Sequence, residues 1–129
     1  MGLFGGSKDP EDLINSAMAL MQRKQPKAAV SLFKKALKND PENVTALYNQ
    51  GLAFNQLKKY QDAISCFDKV IEINPKDAPS YNNRAIAMAE TGNPDDAMTY
   101  YNKAIKADPK YAPAYYNKGV LLDLSLIHI

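Results

Sequence analysis

The sequence predicts an all-α solenoid of antiparallel helix-turn-helix units. Three observations predict it: a 34-residue period, an apolar stripe of helical spacing in each half-period, and a proline closing each unit. Pro41, Pro75 and Pro109 recur at that period; so do Ala29, Ala63 and Ala97, then Phe33, Phe67 and Tyr101, and then Ala36, Val70 and Ala104. A large column of Leu13, Leu47, Tyr81 and Tyr115 and a tiny one of Ala17, Gly51, Ala85 and Gly119 extend the frame. The units are therefore 10–43, 44–77, 78–111 and an incomplete fourth, 112–123, preceded by a flexible leader, 1–9.

Within a unit the first helix is clearest over Val44 to Leu57, where Leu47, Gly51 and Phe54 fall at i, i+4 and i+7 on one face. The second carries Ala63, Ile64, Phe67, Val70 and Ile71 and stops at Asn74-Pro75, where proline bars further helix. Pro79 and Pro113 sit in first turns, and Asn93-Pro94-Asp95-Asp96 offers a cap, a first-turn proline and acids at the positive dipole end. Tiny residues mark helix crossings: Gly51 or Ala63 lets a neighbour approach closely and receives its bulky side chain. Helices of about 14 residues are marginal alone, so their stability comes from stacking.

Composition is that of an ordinary globular chain, 46% hydrophobic and 23% charged. No apolar run reaches the roughly 18 residues of a membrane span, and the start lacks a basic region followed by an apolar stretch. Gly2 does not fit myristoylation, because Gly6 stands where Ser or Thr is required. The single cysteine, Cys66, has no internal disulfide partner; it reads as a small apolar filler in a reducing compartment, and a cytoplasmic location is expected. A net charge of +2 is too small to imply nucleic-acid binding. The basic excess lies in the first unit, where Arg23, Lys24, Lys27, Lys34, Lys35 and Lys38 outnumber Glu11, Asp12, Asp40 and Glu42.

These columns resemble the tetratricopeptide repeat family. The stretch from Ala46 to Phe54, with Tyr60, Ala63, Phe67 and Pro75, follows its consensus, and the likeness runs from residue 10 to about 123. Leu or Tyr stands where the family often has Trp, and Pro26 and Pro94 stand where this chain has Tyr60. The resemblance implies a right-handed superhelix whose first helices line a concave groove, and a non-enzymatic role in binding peptides or partner proteins.

With one face of each first helix given to packing, a groove face remains. Asn15, Asn49, Asn83 and Asn117 occupy one column, and Met18, Leu52, Ile86 and Val120 lie three residues further on the same face. A carboxamide offers an acceptor and two donors, so each Asn can grip a ligand backbone whatever the ligand's sequence. Asparagines recurring about every 10 Å would meet about every third residue of an extended peptide. At about 1 kcal/mol per bond, the row implies micromolar or weaker binding without apolar anchors. Tyr48, Asn82 and Tyr116, each just before an asparagine, are the candidates for specificity. The row resembles the asparagine ladder with which the family's O-linked N-acetylglucosamine transferase superhelix holds peptide backbones. If the row serves ligands alone, replacing Asn49, Asn83 and Asn117 by Ala should leave thermal stability nearly unchanged.

The family's carboxylate clamp for acidic chaperone tails needs Lys and Asn on one first helix and Lys and Arg on a third. The corresponding positions here hold Ile14, Met18, Pro79 and Asn83, leaving Asn49 as the match, so chaperone C-terminal tails are not expected ligands. No cofactor, metal or small-molecule substrate is expected either: the only His is His128, Cys66 is mid-helix, and neither a phosphate-binding glycine loop nor a metal-spaced cluster is present. Helical RNA readers have a slightly longer repeat and a basic inner face, whereas the lysines here fall on a second, outward helix, so no nucleic acid is expected. A further reading is a targeting or assembly module of a longer multidomain protein. Leu124-Ser125-Leu126-Ile127-His128-Ile129 resembles an in-frame translation of a sequencing transposase adapter, so the native reading is expected to end at Asp123.

Overall fold

The computed structural model describes the backbone of residues 9–127 and the side chains of 9–124. The expected leader, apart from Asp9, and the last two residues lie outside the described residues. The described chain is seven helices: α1 (Pro10–Gln22), α2 (Pro26–Asn39), α3 (Val44–Gln56), α4 (Tyr60–Ile73), α5 (Ala78–Glu90), α6 (Pro94–Ala107) and α7 (Ala112–Ile127). They form three helix pairs and one further first helix, an all-α solenoid, with no strand among the described residues. α7 runs past Asp123 to Ile127 without a break at the start of the adapter-like hexapeptide.

First and second helices begin differently. Asp9 and Asn43 cap α1 and α3 by accepting from the N–H groups of Asp12 and Ala46, and Asp77 caps α5 by accepting from the N–H of Ser80. Each cap satisfies one otherwise orphaned donor of the first turn. Gln25, Lys59 and Asn93, which precede the second helices, make no side-chain cap. This corrects the expected role of Asn93, whose amide turns back to donate to Thr91 instead. Proline at the first position of α2 and α6 supplies the preset φ, and Asp95 and Asp96 face the dipole of α6.

The columns read from the period are the core. Ala29, Ala63 and Ala97 are fully buried, as are Phe33, Phe67, Ala36 and Ala104, with Leu13, Leu47, Val70 and Tyr101 nearly so. α3 and α5 each pack on their own second helix and on the second helix of the preceding unit, α1 packs on α2, and α7 packs on α6. Successive first helices (α1, α3, α5, α7) also touch one another, whereas α2, α4 and α6 do not. The stack therefore curves toward the first helices, whose remaining face is concave. Where Leu13 and Leu47 are buried, Tyr81 and Tyr115 swing their hydroxyls back to donate to the carbonyls of Pro75 and Pro109, at 2.9 and 2.8 Å.

One column was not anticipated. Lys24, Lys58 and Gly92, each one period after the last, end the first helices with positive φ, 60°, 60° and 82°. A side chain in that left-handed region costs about 1 kcal/mol, so two units keep a strained lysine where the third uses glycine.

Candidate peptide-binding groove

The groove face is built on α1, α3, α5 and α7. Asn15 is exposed, and Asn49, Asn83 and Asn117 are half-buried. Asn49 donates to the carbonyl of Thr45, one turn back, at 2.8 Å. Asn83 donates to the Pro79 carbonyl and to the Tyr48 hydroxyl, both at 2.9 Å, and Asn117 donates to Asn82 Oδ1 at 3.1 Å. The last two contacts share a rule. An asparagine of one unit reaches the side chain one period and one residue earlier, on the neighbouring first helix. The same step from Asn49 leads to Ile14, which has no acceptor, so Asn49 folds onto its own helix. The row is thus also a set of rungs between units, so replacing Asn83 or Asn117 should cost some stability as well.

The three residues before the asparagines do different things. Tyr48 is half-buried, packs edge-on against Phe67 with centroids 5.8 Å apart, and accepts from Asn83. Burial pushes its phenol up to about 12, with Tyr111 and Asp77 adding to the rise and the Asn83 bond opposing it. It stays neutral and keeps a hydrogen to donate. Tyr116, on the last helix, is 73% exposed. Asn82 is corrected: it is buried, its Oδ1 spent on Asn117, so it joins α5 to α7 rather than facing a ligand. In the apolar row Met18 and Val120 are exposed, while Leu52 and Ile86 are half-buried, Ile86 against the core of Ala85, Ala97 and Tyr101.

A recess lies on this face between the starts of α3 and α5. It has a volume of about 270 Å³ and is lined by Val44, Thr45, Tyr48, Asn49, Val70, Asp77 and Pro79. Its lining joins the apolar Val44, Val70 and Pro79 to the amide of Asn49. The carboxylate of Asp77 accepts from the Ser80 hydroxyl at 2.6 Å as well as from the Ser80 N–H. Among charged residues, α1, α3 and α5 hold Glu11, Asp12, Arg84 and Glu90. Arg84 is the one cation, and it pairs with Asp68 on α4 at 2.7 Å.

Arg84 belongs to a second unanticipated column. It spans from the preceding second helix, through Asp68, to its own, where it lies 3.9 Å from the ring centre of Tyr100. Gln50, one period earlier, bridges the equivalent pair: it donates to the Val30 carbonyl on α2 and accepts from Cys66 on α4 at 3.3 Å. Desolvation raises the Cys66 thiol to about 11, so it is an inert buried thiol. Among the described residues, no group of three or more His, Cys, Asp or Glu could hold a metal, and no helix is long and apolar enough to cross a membrane.

Curved stacking of paired helices, capped in register and presenting a concave face, defines a helical-repeat binding solenoid. Two tetratricopeptide repeat models match, over residues 14–78 and 54–119, and the chain belongs to that family. No curated protein matches it. Among solved structures it is similar to the first such domain of Spaghetti (RPAP3) bound to an HSP90 peptide, with TM-score 0.85 and 18% identity over 94% of this chain and 96% of that one. It is similar to the Arabidopsis OM64 domain, with TM-score 0.82 and 25% identity over 87% and 93%. It is also similar to YrrB, a repeat protein with an unusual peptide-binding site, with TM-score 0.85 and 23% identity over 88% of this chain and 59% of that one. The fold supports a protein-interaction module.

Proposed function

We propose that the chain holds an extended peptide, or an extended segment of a partner protein, along its concave face by backbone hydrogen bonds to the asparagine row and by apolar contacts. The observation that carries this reading is that Asn49, Asn83 and Asn117 share one column of the concave face. The Nδ2 groups of Asn83 and Asn117 bond side chains across units, which sets the orientation of both amides and leaves their Oδ1 atoms as acceptors for ligand N–H groups. Spaghetti and YrrB, named for peptide binding, support a peptide ligand in general.

A displayed library of random peptides, followed by backbone N-methylation of a selected binder, tests it. Methylating an amide that faces an asparagine should weaken binding about fivefold, the worth of one hydrogen bond. Uniform indifference to N-methylation along the peptide would overturn the reading.

Chaperone tails are not the ligand in this proposal, although the Spaghetti domain was solved with an HSP90 peptide. A C-terminal carboxylate entering the groove meets buried Ile14, exposed Met18 and Pro79, and the one cation of α1, α3 and α5 is held by Asp68. An acidic C-terminal peptide titrated against the chain should bind no tighter than about 1 mM, because desolvating an unpaired carboxylate is not offset. Micromolar affinity that disappears in high salt would contradict this.

A further inference from the structure

The first helices lie side by side, so the turns joining α1 to α2, α3 to α4 and α5 to α6 form a row along one edge of the solenoid. The first two abut: Lys24, Pro26, Lys27 and Leu57 line one surface depression of about 560 Å³. Charge changes sign along this row. The first turn carries Arg23, Lys24 and Lys27, the middle one Lys58, Lys59 and Asp62, and the last Glu90, Asp95 and Asp96, all exposed. Among the described residues the ion pair is Arg84 with Asp68, and none of these nine side chains is paired with another described residue.

We infer that this edge pairs with the same edge of a second copy, the two antiparallel about a two-fold axis through the middle turn. That axis places the three cations of one copy's first turn against the three acids of the other's last turn, and the same contact recurs on the other side. At the axis Lys58 and Lys59 face their own copies, with Asp62 between them to moderate the repulsion. A parallel register sets like charges together at both ends. A partner of a single sign is repelled at one end, so matched opposite charge favours a second copy over an acidic or basic ligand. Lys24 and Lys58, both exposed and in left-handed backbone, put a cation at the same place in the first and middle turns. The contact is made of exposed charges, so it is weak and governed by salt.

Sedimentation equilibrium of the chain tests the pairing. At about 0.01 M salt, where charges act over about 30 Å, the mass should rise toward twice 14.3 kDa, and at about 1 M it should return to 14.3 kDa. Reversing the first turn (Arg23→Glu, Lys24→Glu, Lys27→Glu) should make the low-salt chain monomeric. Reversing the last turn (Glu90→Lys, Asp95→Lys, Asp96→Lys) should do the same, and mixing the two variants should restore the dimer, since each then meets opposite charge at both ends. Asp95→Asn with Asp96→Asn, which keeps side chains of the same size at the α6 start, should weaken wild-type association about tenfold. A wild-type chain that stays monomeric at low salt overturns the proposal. So does association that survives either reversal or strengthens with salt, which would place it on the exposed apolar face of α7, and so does a mixture of monomers that fails to pair.

Discussion

Replacing Gly51 by leucine should lower the stability of the chain by about 3 kcal/mol, a fall in Tm on the order of 10 °C in thermal unfolding followed by circular dichroism. A Cβ at position 51 would stand 2.6 Å from Phe67 Cε1 and 2.7 Å from Cζ, well inside contact distance. Phe67 is fully buried and braced by the Tyr48 ring, so it cannot move aside cheaply. Even Gly51→Ala should be destabilising, although alanine is the better helix former by about 1 kcal/mol. Gly119 occupies the same column of α7, but among the described residues nothing lies within 4 Å of a Cβ there. Gly119→Ala should therefore be neutral or stabilising by up to about 1 kcal/mol. Equal penalties at the two glycines would mean that the cost comes from the helix backbone rather than from the α3–α4 crossing.

That pair shows which parts of the fold a repeat makes legible. A column that must be tiny because a ring fills the space beside it keeps its size class in every unit, so Ala17, Gly51 and Ala85, and Ala29, Ala63 and Ala97, can be placed without coordinates. The column of Ser16, Gln50, Arg84 and Lys118 keeps no size or charge. Gln50 and Arg84 nevertheless do equivalent work, each tying a first helix to two second helices, because the facing helices offer a carbonyl and a thiol in one unit and a carboxylate and a ring in the next. No single-residue pattern carries that. The caps Asp9, Asn43 and Asp77 also recur at the repeat period, but the sequence expectation rested on the conspicuous Asn-Pro at 93, where no side-chain cap forms. Asn82 was misplaced for a geometric reason: one residue on a helix is a turn of about 100°, enough to carry a side chain from the groove into the contact with α7.

The rungs alter what removal of the asparagine row should do. Replacing Asn49, Asn83 and Asn117 together by alanine should weaken a peptide selected on the groove about 100-fold, three hydrogen bonds at about 1 kcal/mol each, in a fluorescence-anisotropy titration. Stability should fall as well, by about 1 to 2 kcal/mol, because Asn83 and Asn117 also bond Tyr48 and Asn82 on neighbouring helices. A loss of affinity alone could then be blamed on a loosened stack, and Asn82→Ala separates the two causes. It removes the acceptor of Asn117 and leaves a polar group without its partner, at a cost of about 1 kcal/mol, and on the concave surface it frees the orientation of one amide while keeping all three asparagines. If peptide binding survives Asn82→Ala but not the triple replacement, the asparagines act on the ligand directly. If both variants lose affinity in proportion to stability, the row holds the units together and the peptide is gripped elsewhere. Asn49 decides the remaining case. Its amide bonds only its own helix, so Asn49→Ala alone should leave Tm within about 2 °C and still weaken the peptide about fivefold.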